Sequence, residues 1–128
     1  MNIKKAYKLL DYWKGQLRMS DYNIMLKINL KPKEMSIKGA WGVSTVNSLL
    51  KCGVIQILSE KFTDNKILHY DFEQTLVHEL LHFKFDVIQD HSNKEIYTLL
   101  HQNIEDLSRA LVWSKRCENV KEIENYNK

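Results

Sequence analysis

The N-terminal third of the chain predicts an amphipathic helix followed by a half-buried strand. From residue 3 to residue 18, apolar side chains recur at spacings of three and four, the mark of one helix face: Ile3, Ala6, Tyr7, Leu10, Trp13 and Leu17. From Tyr22 to Leu30, apolar and polar residues alternate until Pro32. This alternation predicts a strand with one face in the core.

The middle of the chain predicts two more strands. The segment from Gly39 to Asn47 is rich in small and β-branched residues, and the apolar run from Val54 to Leu58 follows a Cys-Gly pair that we interpret as a turn. Together with the first strand, these segments predict a small, three-stranded and mostly antiparallel sheet.

Two helices are expected to complete the fold. Helical periodicity runs from Asp71 to about Gln89 and again from Asn93 to about Lys115, and the first residue of each segment is a favourable N-cap. The sequence therefore predicts an α+β fold with the order helix, three strands, helix, helix. We expect one domain over residues 1–115 and a polar, fraying C-terminal tail over residues 116–128.

Composition narrows the function only slightly. Hydrophobic residues make up 44% of the 128 residues and charged residues 27%, which argues against intrinsic disorder. The net charge of +3 is spread along the chain, so nucleic-acid binding is neither required nor excluded. There is no signal-peptide pattern or membrane-length apolar run, so we expect a cytoplasmic protein without a membrane partner. Cys52 and Cys117 form no CxxC pair, and we expect reduced thiols.

The chemical signal of the sequence is the segment HELLH, residues 78–82, inside the first of the two C-terminal helices. His78 and His82 are four residues apart and face the same side of a helix, where both can hold one metal ion. Glu79 lies about 100° around the helix and can act as general base. A zinc site with an activated water follows; a pair of structural histidines is the alternative.

The remainder of this helix supports a buried position. Its apolar residues cover half of the circumference or more: Leu76, Val77, Leu80, Leu81, Phe83, Phe85, Val87 and Ile88. The motif shares the other sector with polar residues, among which Asp86 is a possible partner for an imidazole.

A catalytic zinc needs a third protein ligand, and we favour Glu105, 23 residues after His82 on the last helix, with His101 as the alternative. Tyr97, His101 and Glu105 follow each other at intervals of four and form one stripe. His69, His91 and Cys52 are weaker alternatives. Metzincins are excluded, because Phe85 and Ile88 occupy the glycine and histidine positions of their longer motif.

With TLVHELLHF and the strand segments SDYNI, GAWGVSTVN and CGVIQIL, the chain resembles the minimal-zincin metallopeptidases. This gluzincin-like group includes SprT-like and ImmA-like domains and short phage proteins. The resemblance implies that His78, His82 and Glu105 bind Zn²⁺, with Glu79 as base and proton shuttle. Two departures stand out: Arg109 replaces the aspartate of ExxxD gluzincins, and only His91 could serve as the third histidine that SprT-like proteins carry soon after the motif.

The expected function is therefore a zinc-dependent metallopeptidase acting on a protein or peptide, which would lie along an edge strand formed by CGVIQIL or GAWGVSTVN. His101, Tyr97 and Arg109 are the choices for the oxyanion donor, and His101 is also the alternative ligand. Two other functions stay open: a zinc-binding regulatory module without turnover, and a SprT-like protease associated with nucleic acid. The latter rests only on the mild basicity of the chain and on Trp13, Trp41 and Trp113, which we expect in the core.

Overall fold

A computed structural model describes residues 1–64, 68–88 and 92–126, with side chains up to residue 118. The elements are, in chain order, α1 (Ile3–Gln16), β1 (Asn23–Leu30), β2 (Gly42–Asn47), β3 (Cys52–Leu58), α2 (Phe72–Phe85) and α3 (Lys94–Tyr126). This is the predicted α+β arrangement of one helix, three strands and two helices. Each element overlaps its predicted segment, although several of the ends differ.

The sheet is mixed, whereas we predicted a mostly antiparallel one. Its order is β1-β3-β2; β3 runs antiparallel to β2 and parallel to β1, with Leu26 opposite Ile55. The turn over residues 48–51 is short enough for a hairpin, but β3 then inserts between β2 and β1. The strand patterns specify the buried faces and leave the choice of neighbours open.

The Cys-Gly pair that we interpreted as a turn belongs to β3 instead. Cys52 and Gly53 pair with Asn47 and Val46, and Lys51 just before them takes a positive φ of 50°. A side chain at residue 53 would lie 2.2 Å from the Thr45 carbonyl oxygen. The glycine therefore permits close contact between the two strands. A glycine in a turn and a glycine in a strand look alike in the sequence, so the pattern did not distinguish them.

The core lies between the sheet and the helices. Ile24 and Leu26 on β1 are buried, as the alternation predicts, and so are Ala6, Leu10 and Trp13 on α1. Ile3 is half exposed because it lies in the first turn of α1, beyond the packed part of the helix. The central residues of the α2 face, such as Leu76, Leu80 and Phe83, are fully buried.

Helix α3 is longer than predicted. We expected it to end near Lys115, but its backbone is helical up to Tyr126, and Arg116 bonds the Asp71 carboxylate at 2.7 and 3.1 Å. The predicted cap is confirmed, since the Asn93 side chain accepts hydrogen bonds from the N–H groups of residues 95 and 96. The domain boundary at residue 115 stays a prediction.

The buried face of α3 is narrower than the apolar face that its sequence predicts. Ile104, Ser108 and Val112 are buried at spacings of four, while Ile96 and Leu107 are 48% and 42% exposed. Trp113, which we expected in the core, is 70% exposed. A helix at the edge of the molecule buries one stripe, so apolar residues beside that stripe stay accessible. Within the described residues, no helix has the length and apolarity needed to cross a membrane.

Candidate metal centre

The site is built on α2. The first turn of this helix is capped, and the buried part of the helix follows it. The Asp71 side chain accepts a hydrogen bond from the Gln74 N–H at 3.1 Å, as predicted for an N-cap. Val87 and Ile88, which we placed on the buried face, are exposed. The reason is that α2 ends at Phe85 and continues as a 3₁₀ turn, which changes the direction of the side chains that follow.

Three histidines come together where α2 faces α3. His78 and His82 project from α2 and His101 from α3, with ring centroids 4.9 to 5.2 Å apart. One nitrogen from each ring lies within 4.8 Å of the other two, and the Nε2 atoms of His78 and His82 are 3.1 Å apart. The structure thus brings the two motif histidines together with the alternative ligand from the last helix.

Glu105 contacts the opposite side of the His78 ring. Its Oε2 lies 2.6 Å from His78 Nδ1, and its Oε1 accepts a hydrogen bond of 2.9 Å from Arg109 Nε. The hydrogen bond with His78, the His78 charge and Arg109 together outweigh burial and lower the pKa of Glu105 to about 2. Glu105, which we favoured as third ligand, is therefore an ionised partner of His78 Nδ1. This ring nitrogen points away from His82.

Glu79 is a buried carboxylate at the wall between α2 and β2. It is 4% exposed, and burial raises its pKa to about 7. Within the described part of the chain, its Oε2 has no hydrogen-bond partner. A buried polar atom without a partner costs about 1–3 kcal/mol, so such an atom is expected to have a functional reason.

Gly42, at the start of β2, makes room for this carboxylate. A Cβ at this position would lie 2.9 Å from Thr75 Cγ2, 3.0 Å from Glu79 Cγ and 3.2 Å from Glu79 Cδ. The sequence pattern did not predict a role for this glycine in the site. The only signal was its position in GAWGV, which does not reveal the helix that packs against it.

A cavity of about 430 Å³ opens beside Glu79, His78 and His101. It lies between α2, α3 and the chain segment that leads into β2. The described residues that line it are Ala40, Trp41, Gly42, Leu68, His69, Asp71, Gln74, Thr75, His78, Glu79, His101, Glu105 and Arg109. The volume is in the range of small-ligand pockets and suits a few residues of an extended peptide.

Tyr97, the third member of the predicted stripe, lies beside the cluster. Its ring stacks on His101 with centroids 6.2 Å apart, and the described lining of the cavity does not include it. Asp86, suggested as a partner for an imidazole, accepts a hydrogen bond from the Ser48 hydroxyl instead. The carboxylate that contacts an imidazole is that of Glu105, and not that of Asp86 as we suggested.

The weaker ligand choices lie elsewhere or outside the described residues. His69 lines the cavity but is not in the histidine cluster. Cys52 starts β3 opposite Asn47, whereas Gly42 beside Glu79 pairs with Ile57 near the other end of that strand. His91 lies outside the described residues.

The residues present fit a zinc ion. Nitrogens around a tetrahedral zinc lie about 3.3 Å apart, since each is about 2.0–2.1 Å from the metal. The 3.1 Å between His78 and His82 is close to that spacing, and His101 is exposed enough to adjust its side chain. Neutral imidazoles suit zinc, and the cavity that His78 and His101 line leaves room for a further ligand such as water.

No family model, curated protein or solved structure matches this chain. The resemblance to minimal zincins therefore stays a prediction, carried by the HELLH segment and the order of the elements.

Proposed function

We propose that this chain is a zinc-dependent metallopeptidase in which His78, His82 and His101 hold the ion and Glu79 is the general base. The observation that carries the proposal is the meeting of three imidazoles beside a buried carboxylate that has an unsatisfied oxygen. This ligand set replaces Glu105 with His101. A pair of purely structural histidines would explain neither the third imidazole nor the carboxylate.

A bound zinc ion would polarise the scissile carbonyl and lower the pKa of a water molecule. Glu79 accepts a proton from that water at Oε2 and later delivers it to the leaving amine nitrogen. Glu105 holds the proton of His78 on Nδ1, which leaves the Nε2 lone pair directed at the cluster. The burial of Glu79 between α2 and β2 keeps its carboxylate in one place for both proton transfers.

The substrate path in this proposal follows β2. Of the two strand segments that we considered, β3 is central in the sheet and β2 lies at an edge. Gly42, the first residue of β2, lines the same cavity as Glu79 and His78. An extended peptide that pairs with this edge would therefore bring a backbone carbonyl near the histidines.

The experiment is to compare the zinc-loaded wild type with Glu79→Gln on a mixed peptide library, using mass spectrometry to detect cleavage. We expect turnover in the wild type and a loss of at least about 100-fold in the variant, with unchanged zinc content. Glu118→Gln, which changes an exposed glutamate on α3, is the matched control and should retain full activity.

Two results would contradict the proposal. Equal cleavage by wild type and Glu79→Gln would remove the general base from the mechanism. A wild type that binds zinc and cleaves no peptide would favour the alternative of a zinc-binding module without turnover.

A further inference from the structure

Arg109 differs from the other polar residues of the cavity because it carries a fixed positive charge. Among the described residues that line the cavity, it is the sole lysine or arginine. Its side chain is 53% exposed, and its Nε donates the 2.9 Å hydrogen bond to Glu105. The structure gives Nη1 and Nη2 of Arg109 no partner among the described residues, so these donors are available to a ligand.

The carboxylates around the cavity either have a basic partner or are buried. Asp71 bonds both terminal nitrogens of Arg116, and Glu105 is shared by His78 and Arg109. Glu79 lines the cavity but is only 4% exposed, with its side chain packed against Gly42 of β2. A negatively charged substrate group beside Arg109 would therefore find free hydrogen-bond donors of the guanidinium. The carboxylate that competes for these donors is that of Glu105.

The contact with Glu105 also restrains the guanidinium. Arginine presents a planar fork of donors that matches a carboxylate in a bidentate arrangement. Because the Nε contact already restricts the side chain, less conformational entropy is lost when a ligand binds the terminal nitrogens. The same geometry would not favour an amide or a hydrocarbon over the solvent.

We propose that Arg109 binds a carboxylate of the substrate and is a specificity-determining residue. The inference rests on the proposed peptidase function. One carboxylate, that of Glu105, separates Arg109 from His78. An extended chain spans about 3.3–3.6 Å per residue, so the carboxylate recognised would lie within about three residues of the scissile bond. It would be either the C-terminal carboxylate or an acidic side chain.

A merely structural Arg109 would behave differently. If it served only to hold Glu105 against His78, its loss would slow the cleavage of every peptide by the same factor. If it binds the substrate, its loss would raise KM for peptides that carry the carboxylate and leave the others unchanged. The ratio of rates between two peptides therefore separates these roles.

The test uses one peptide sequence in three forms: free acid without internal acidic residues, C-terminal amide, and amide with one aspartate near the cleaved bond. For the wild type we expect kcat/KM to be about 10- to 100-fold higher for at least one carboxylate form than for the plain amide. Arg109→Gln should lose this preference, mainly through KM, and Arg109→Lys should keep part of it. Arg18→Gln, at an exposed arginine outside the cavity lining, is the control.

Which carboxylate form is preferred separates the two sources. A preference for the free acid indicates recognition of the chain end, and a preference for the aspartate peptide indicates an internal acidic residue. No preference in the wild type, or an equal slowing of all three peptides by Arg109→Gln, would overturn the proposal.

Binding measurements separate this inference from the peptidase function. Zinc-loaded Glu79→Gln would be titrated with the three peptides in a calorimeter, with and without Arg109→Gln. A carboxylate preference that disappears with Arg109 supports the inference even if the wild type cleaves nothing. Cleavage by the wild type without such a preference would overturn the inference and leave the peptidase function standing.

Discussion

The Glu105 carboxylate lies 2.6 Å from Nδ1 of His78, on the side of the ring away from His82. The resemblance to gluzincins implies that Glu105 is a metal ligand, whereas in the structure its carboxylate contacts the ring of His78. His101, one helical turn earlier, takes the position beside the two motif histidines. His101 therefore lies where the spacing favoured Glu105, and Glu105 contacts the far side of the His78 ring.

The first prediction separates these roles by zinc affinity. We expect His101→Ala to weaken zinc binding far more than Glu105→Gln, which should cost about 10- to 100-fold as a partner of a ligating histidine. Competition with a chromophoric chelator would measure both affinities. A Glu105→Gln protein that binds no zinc, beside a His101→Ala protein of normal affinity, would return Glu105 to the ligand set.

The second prediction concerns the space that Gly42 leaves for Glu79. Gly42→Ala would place a methyl group 2.9 Å from Thr75 and 3.0 Å from Glu79, so we expect a loss of about 1–3 kcal/mol in the free energy of unfolding. Urea denaturation would measure it. Gly15→Ala is the matched control: it meets nothing within 4 Å on α1 and should gain up to about 1 kcal/mol. Equal effects would mean that the glycine is not needed for space.

The third prediction is a pH dependence at Asp71. Burial alone would raise the pKa of Asp71, but hydrogen bonds from Arg116 and from the Gln74 N–H outweigh it and hold the pKa below its ordinary value of 3.8. The ionised carboxylate therefore stabilises the fold above that value, and the stabilisation disappears as the pH falls through the lowered pKa. Asp71→Asn keeps a capping side chain but removes the charge.

We expect Asp71→Asn to cost about 1 kcal/mol of unfolding free energy at pH 7 and much less at the acid end of the accessible range. Urea denaturation at several pH values would measure the difference. A cost that is the same at every pH would assign the effect to the geometry of the cap and not to the ion pair with Arg116.

The fourth prediction concerns the contact between α1 and α2. Trp13 Nε1 donates a 2.8 Å hydrogen bond to Glu73, whose carboxylate also bonds Lys115. Trp13→Phe removes this donor from a buried acceptor, and we expect a loss of about 1–3 kcal/mol in unfolding free energy. Trp113→Phe changes an exposed ring and should stay within about 0.5 kcal/mol. A Trp13→Phe protein as stable as the control would contradict the role of this hydrogen bond.

Local patterns in the sequence were sufficient for the elements and for part of the site. The alternation in β1, the caps at Asp71 and Asn93 and the spacing of His78 and His82 all depend on residues within one turn or one strand. Backbone periodicity fixes such relationships wherever the element lies in the fold. The sequence therefore determined the order of helices and strands, and it placed both imidazoles on one face of α2.

The tertiary structure decided which separate elements meet. β3 lies between β1 and β2, His101 rather than Glu105 joins the histidine cluster, and Gly42 packs against Glu79. None of these contacts follows from spacing, because residues four apart on α3 share a stripe, and the packing angle against α2 selects which of them reaches the cluster. The spacing in HELLH placed His78, Glu79 and His82 relative to one another on α2; the packing of α3 and β2 on α2 decided what surrounds them.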